Sequence, residues 1–281
     1  MITVKPEETP IPQLHQFLIG SIGPRPICFA STMSEDGKPN LAPFSFFNVF
    51  SANPPIVVFA PNNSGRDGTP KHTYLNVKAV PQVVINVVSM NMLNQMNLAA
   101  APWEYGVSEF EKAGFTPVNS ELIKPFRVAE SPVQMECEVI EVKEMGTGGG
   151  AGNLVICKVV RLHINEDVLN AEGKIDQHKM NLVGRLGGSW YCKTDTDSLF
   201  ELSQPMLKTI GYDALPVLLK QSELLTANDL GKIGCLAEWP TMSEIESAWE
   251  QYGLGDVHAT AKKLVDQGDY KAALALFMKL D

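Results

Sequence analysis

Residues 20–73 concentrate the groups that could do chemistry. Arg25 and Lys71 are cations, and Ser31, Thr32, Ser45 and Thr73 are hydroxyls; together they can hold a dianionic phosphate through charge-assisted hydrogen bonds. His72, between Lys71 and Thr73, adds positive potential at the same point. Pro43 and Phe44–Phe47 offer an apolar bed for a planar ring. The proline-flanked backbone of 43–48 can leave N–H groups unpaired and aimed into a cleft, where ring carbonyls and nitrogens could accept them. The same residues are equally compatible with turns and core aromatics that lie close in sequence.

Other chemistries lack their residues. There is no G-x-S-x-G elbow, no H-E-x-x-H and no G-x-x-x-x-G-K. His15, His72, His163, His178 and His258 are scattered, with no pair at metal-ligand spacing, and no catalytic dyad is recognisable. Cys28, Cys137, Cys157, Cys192 and Cys235 are odd in number and form no C-x-x-C, so neither a zinc site nor a disulfide framework is expected. The glycine run 146–152 has strand patterns on both sides, which favours a flexible hairpin over a nucleotide loop. The net charge of −9, from 23 Lys+Arg against 32 Asp+Glu, argues against a nucleic-acid or anionic-membrane surface. The acidic first residues carry no apolar signal core, and no apolar run approaches the ~20 residues of a membrane span. A cytoplasmic protein in a reducing compartment is the expectation.

Several short strands must position those groups. Residues 25–33 read as a strand ending at an Asp36-Gly37 turn; 39–51 returns, and 56–60 follows Pro54-Pro55. Residues 83–89 fit a buried strand, 133–139 alternate apolar and polar, and 154–164 form another long strand. Few helices intervene, so the class is mainly β, an antiparallel barrel or sandwich. Ser89 is placed to cap a helix over 90–100, with Met90, Met92 and Met96 turned to the core, and Ser108 with Glu111 has capping-box spacing. Beyond about residue 195 the pattern becomes helical. Ile245, Ala248, Trp249 and Tyr252 share one helix face, and residues 257–280 look like a single tetratricopeptide-type helix pair. The expected organisation is a domain over 1–195 and a helical extension over 196–281.

Six strings in the first domain come in a recognisable order: Gly-Pro-Arg-Pro-Ile (23–27), Ser31-Thr32 before the Asp-Gly turn, Asn40-x-Ala42-Pro43-Phe44-Ser45-Phe46-Phe47, Pro54-Pro55, Lys71-x-Thr73, and Val183-Gly184-Arg185-Leu186-Gly187-Gly188-x-x-Tyr191. With these, residues 18–195 resemble the flavin reductase-like family of FMN-binding split barrels. The resemblance implies a six-stranded Greek-key barrel, a homodimer with FMN near its interface, and flavin redox chemistry with NADH or NADPH as donor. It implies the flavin ring against Pro43, Phe44, Ser45, Phe46, Phe47 and Asn48, with the N–H groups of Phe46, Phe47 and Asn48 at the ring's polar edge. Ser31, Thr32 and Ser45 would line the ribityl and phosphate path, and Lys71 and Thr73 would bind the phosphate with Arg25 or Arg185 nearby. Arg185 could equally be a structural residue. His72 departs from the family, which often carries an acidic residue there. An NAD(P)H-dependent flavin reductase is the first expectation, a flavoredoxin-like electron carrier the second, and a non-redox FMN-binding scaffold the third. The helical extension is expected to pack over the flavin cleft or dimer seam, or else to stand as a separate module.

Overall fold

The computed structural model describes residues 1–202, 204–205 and 208–280. In chain order the elements up to Phe200 are α1 (Ile11–Ser21), β1 (Cys28–Met33), β2 (Pro39–Phe44), β3 (Phe47–Ala52), β4 (Pro55–Phe59), α2 (His72–Ala79), β5 (Gln82–Val87), α3 (Leu93–Ala99), α4 (Glu109–Ala113), β6 (Pro117–Val118), β7 (Arg127–Val128), β8 (Val133–Glu144), β9 (Asn153–Ile164), α5 (Gln177–Met180), β10 (Val183–Arg185) and β11 (Tyr191–Lys193). Seven strands make one sheet in the order β2-β1-β5-β8-β9-β4-β3, antiparallel at every step. The expected count of six is therefore corrected. The extra strand arises because 39–52 is broken at Ser45-Phe46: its first half pairs with β1 and its second with β4. Only two residues join the sheet's two edge strands, so the sheet must curl until its edges meet.

Strand alternation sorts the side chains into two layers. Cys28, Ala30, Val57, Phe59, Val83, Ile85, Cys137, Val155 and Cys157 form the barrel interior, with Val77 of α2 among them. Phe29, Leu41 and Val88 lie on the outer face, under Met92, Met96, Ala99 and Phe110 of the α3–α4 region. The methionines are thus core, as their spacing suggests. Pro39 opens the edge strand β2 and Pro43 lies within it, where a missing N–H is tolerated. Gly37 takes a φ of 82° in the β1–β2 turn, and Gly184 lies so close to Pro24 that a Cβ would stand 2.7 Å from it.

Two expected caps fail. Ser89 makes no side-chain cap, and the 90–100 helix divides into a 3₁₀ turn at Met90–Met92 and α3. Ser108 also makes no cap, and the neighbouring Glu109 carboxylate instead accepts the Leu41 N–H at 2.9 Å. On the outer face of β8, fully buried Glu136 accepts the N–H groups of Glu121 and Leu122, each at 2.8 Å, and bonds His163 Nε2 at 2.7 Å.

The chain divides into two compact units at Phe200/Glu201. The second contains α6 (Val217–Lys220), α7 (Ala227–Gly234), α8 (Met242–Tyr252), α9 (Val257–Asp266) and α10 (Tyr270–Met278). Its core includes Leu219, Ile233, Ile245, Leu264, Leu274 and Phe277. Thr226 with Asp229 and Thr241 with Glu244 form complete capping boxes at the starts of α7 and α8. Among the described residues no helix is long and apolar enough to cross a membrane.

Candidate functional site

The expected site residues separate into two groups at opposite ends of β2. The first surrounds the start of α2. Lys71 occupies the position before the helix in an extended conformation and its side chain makes no cap. The first intrahelical bond runs from Leu75 N to Lys71 O, so the N–H groups of His72, Thr73 and Tyr74 bond no backbone carbonyl among the described residues. Lys71 itself is exposed and has no carboxylate partner there. Beneath the helix start lies a buried polar network. Asn40 Nδ2 donates to Thr73 Oγ1 at 3.0 Å and to Thr32 Oγ1 at 3.3 Å. Asn76 Nδ2 donates to Thr32 Oγ1 at 3.1 Å, and the Tyr105 hydroxyl donates to Asn76 Oδ1 at 3.0 Å. Both threonine oxygens therefore act as acceptors, and neither hydroxyl donates to any described group. The ring of His72 meets Tyr105 edge-on, with centroids 5.2 Å apart. Burial and the neighbouring Lys71 push the His72 pKa below its ordinary value.

The second group lies at the break between β2 and β3. The N–H groups of Ser45 and Phe46 bond no backbone carbonyl among the described residues, while the Phe46 carbonyl accepts the Ala60 N–H at 2.9 Å. That bond turns the Phe46 backbone towards β4. Alternation then turns the Phe47 N–H to the open edge and the Asn48 N–H towards Val58. Asn48 is thereby removed from the expected row of backbone donors; its side chain accepts the Val49 N–H at 2.8 Å. The aromatic bed is also divided. Phe44 and Phe47 pack against the barrel interior, whereas Phe46 is 37% exposed beside Arg25 and His15.

Arg25 stands differently from the phosphate-binding expectation. Its buried guanidinium donates to Ile19 O at 2.7 Å, to Ile22 O, and to Leu186 O at 2.9 Å, with a weaker contact to Ser45 Oγ at 3.5 Å. It locks the end of α1 to the 186–190 turn, and its backbone exchanges two 2.9 Å bonds with Arg185. Burial, then Arg185, lowers its pKa. Arg185 donates to Gly188 O at 2.6 Å and lies over the Tyr191 ring at 4.4 Å, a structural arrangement. Ser31 does not join Thr32: consecutive strand residues face opposite ways, and Ser31 lies buried on the outer face with its Oγ unpartnered. Asn40, Asn76 and Tyr105 were absent from the expected set. Asn40 opens the 40–47 string and Asn76 follows Lys71-x-Thr73 by three residues, but Tyr105 comes from an irregular segment that gives no signal of its own. No group of three or more His, Cys, Asp or Glu side chains among the described residues could hold a metal ion.

Comparison with known proteins now adds an independent line. Residues 21–179 match the flavin reductase-like domain. An uncharacterised protein of Halalkalibacterium halodurans is 36% identical over 195 residues, covering 69% of this chain and 91% of its own. The crystal structure of nitrilotriacetate monooxygenase component B from Bacillus cereus superposes with a TM-score of 0.67 at 31% identity, covering 72% of this chain and 98% of that one. A flavin reductase with a split-barrel domain from Shewanella frigidimarina superposes with a TM-score of 0.61 over 73% of this chain and 100% of its own; at 21% identity that likeness speaks for the fold. The strand that closes the barrel, the open helix start at Lys71 and these matches agree, and the chain belongs to the flavin reductase-like family, a family of flavin-binding proteins.

Proposed function

We propose that this chain is an FMN-binding oxidoreductase, a reductase that takes electrons from NADH or NADPH and passes them through FMN to an acceptor. The observation that carries the reading is the start of α2. Three N–H groups, an unpaired lysine and two buried hydroxyl protons without acceptors converge there, and all of them are donors. A phosphate supplies the missing acceptors. Lys71, His72 and the helix N–H groups would hold it, with Thr32 and Thr73 beneath. The free N–H groups of Ser45, Phe46 and Phe47 lie at the other end of β2, five residues and ~17 Å from Asn40. A ribityl chain carrying a three-ring system spans such a separation. Donors there orient the ring edge and favour negative charge on it. Bound FMN would supply the two-electron redox chemistry that the side chains lack.

The similarity to a monooxygenase component supports the reductase reading. The net charge of −9 favours a second reading, an electron carrier steered to a basic partner. Purified protein should show an oxidised-flavin absorbance spectrum and release FMN, not FAD, on denaturation. Anaerobic mixing with NADH or NADPH should bleach that spectrum; failure to bleach, with FMN bound, favours the carrier.

A homodimer belongs to the proposal. Helix α1 buries none of its residues, and Ile11, Leu18 and Ile22 are exposed together with Val49 and Phe50 of β3. The His15–Phe46 contact brings that helix and that strand edge side by side. An apolar surface of this kind is usually an interface, most often two-fold. Light scattering at micromolar concentration should give twice the chain mass.

A further inference from the structure

We propose that His72 reads the flavin phosphate, and that its imidazole takes up one proton from solvent when the phosphate binds. The inference rests on the reading that the phosphate lies at the start of α2. Three features of the structure carry it. His72 is the first residue of the helix, so its ring leaves the chain where the unpaired N–H groups emerge. Its two ring nitrogens have no hydrogen-bond partner among the described residues. Its ring is held edge-on against Tyr105, whose hydroxyl is fixed on Asn76, so its direction is set before any ligand arrives.

The surroundings decide its charge. Lys71 is the charged neighbour that acts on it, and half-burial works in the same direction; both favour the neutral ring in the free protein. The elements packed against α2 offer no counter-charge. β1 and β2 present Thr32 and Asn40. At their turn Asp36 is paired with Lys38 at 2.8 Å. Glu144 of β8 is engaged by the Tyr74 hydroxyl at 2.5 Å and by Lys78 at 3.3 Å. The carboxylates of the β1–β2 turn and of β8 are therefore occupied, exposed Glu104 beside Tyr105 is not among the charges that act on the ring, and an arriving dianion supplies the counter-charge. It raises the imidazole pKa, as an adjacent anion does.

The sign follows. The free-state pKa lies below the ordinary ~6.5, and the proposal requires the dianion to carry it above that value in the complex. Between the two, binding takes up a proton, and affinity falls as pH rises, by at most about tenfold per unit. The phosphate's own second ionisation, near pKa ~6, is about nine-tenths complete by pH 7, so above that pH the ligand stays dianionic and the slope belongs to the imidazole.

The test is FMN titration of flavin-free full-length protein, followed by flavin fluorescence, at constant ionic strength between about pH 6.5 and about pH 8.5. Riboflavin, which lacks the phosphate, is titrated in parallel. The dissociation constant for FMN should rise at least about fivefold across the range in the unmodified protein and less than about twofold in His72→Gln, with riboflavin flat in both. Imidazole NMR signals, assigned by their loss in the variant, should show the His72 pKa rising when FMN is added. A flat FMN profile in the unmodified protein, or an unchanged slope in His72→Gln, overturns the inference while leaving the phosphate site in place. Equal affinity for FMN and riboflavin at every pH means the phosphate is not held at α2 at all, and the functional reading fails with it.

Discussion

Lys71→Ala is the sharpest perturbation of the phosphate end, because the structure assigns that side chain no other work. It is exposed, makes no cap on α2, and has no ion-pair partner among the described residues. Removing it should leave stability within ~0.5 kcal/mol of the parent, the usual range for such surface positions. A hydrogen bond to a charged partner is worth ~1.5–3 kcal/mol. Lys71 must shed water and rotamer freedom to make it, which can offset up to ~2 kcal/mol, while three helix N–H groups remain to hold the anion. The low end therefore applies, and FMN affinity should fall about tenfold. Riboflavin affinity should not change, and the gap between parent and variant should narrow as salt is added. Flavin fluorescence titration of both ligands, beside a urea unfolding curve, reads all three quantities. An FMN dissociation constant within about twofold of the parent, with stability unchanged, would falsify the placement of the phosphate at this helix.

The remaining perturbations probe the scaffold. Burial pushes the Glu136 pKa up, but the Glu121 and Leu122 N–H groups and His163 outweigh it and hold the carboxyl below its usual range. Its stabilisation is thus present above about pH 4.3 and lost as pH falls through the lower folded value. Glu136→Gln should cost ~2 kcal/mol at neutral pH and flatten the acid side of the stability curve; urea midpoints that keep their full pH dependence would count against the assignment. Burial raises Cys28 and Cys137, and pushes Cys157 up to about 12. A thiol reagent at mild alkaline pH should therefore label exposed Cys235 and partly exposed Cys192 in the native protein and spare the other three, as peptide mapping would reveal. The cores on either side of Phe200 share no residue. A chain ended there should keep a cooperative unfolding transition by circular dichroism, and loss of that transition would mean that the helical unit completes the barrel.

How much of this was legible depends on whether a partner lies near in sequence. The alternation of Val133, Cys137 and their neighbours marks β8, but past Glu138 the strand has lost β5 as a neighbour, its register slips between Val139 and Glu141, and its residues are largely exposed, so the pattern fades before Glu144. Lys71, His72 and Thr73 were readable because cation, imidazole and hydroxyl are adjacent. Thr32 and Ser31 looked alike as hydroxyls, and only the strand's orientation separates them. Arg25 has the charge of a phosphate ligand, yet three carbonyls from segments as distant as Leu186 claim its guanidinium. Ser108 shows the limit of spacing alone: Glu111 stands at the capping-box position, yet the Ser108 side chain makes no cap. Tyr105 was invisible because nothing local distinguishes it; it matters through Asn76 and His72, neither of which is near it in sequence.

The break at Ser45-Phe46 links barrel closure to chemistry. A single stretch that pairs first with β1 and then with β4 must cross from one sheet edge to the other, and at the crossing the Ser45 and Phe46 N–H groups pair with neither strand. Unpaired N–H groups at that point are therefore a consequence of closing the barrel, not an addition to it. The crossing also fixes which side chains go where. Phe44 and Phe47 both reach the interior although they are three residues apart, an odd spacing that an uninterrupted strand would send to opposite faces. The two-residue break restores the phase, and it leaves Phe46 outside beside Arg25. Arg25 in turn holds α1 and the 186–190 turn against the same point through backbone carbonyls. A cleft with free donors at its rim thus follows from topology, and Arg25, a cation expected near the phosphate, serves to keep that rim in shape.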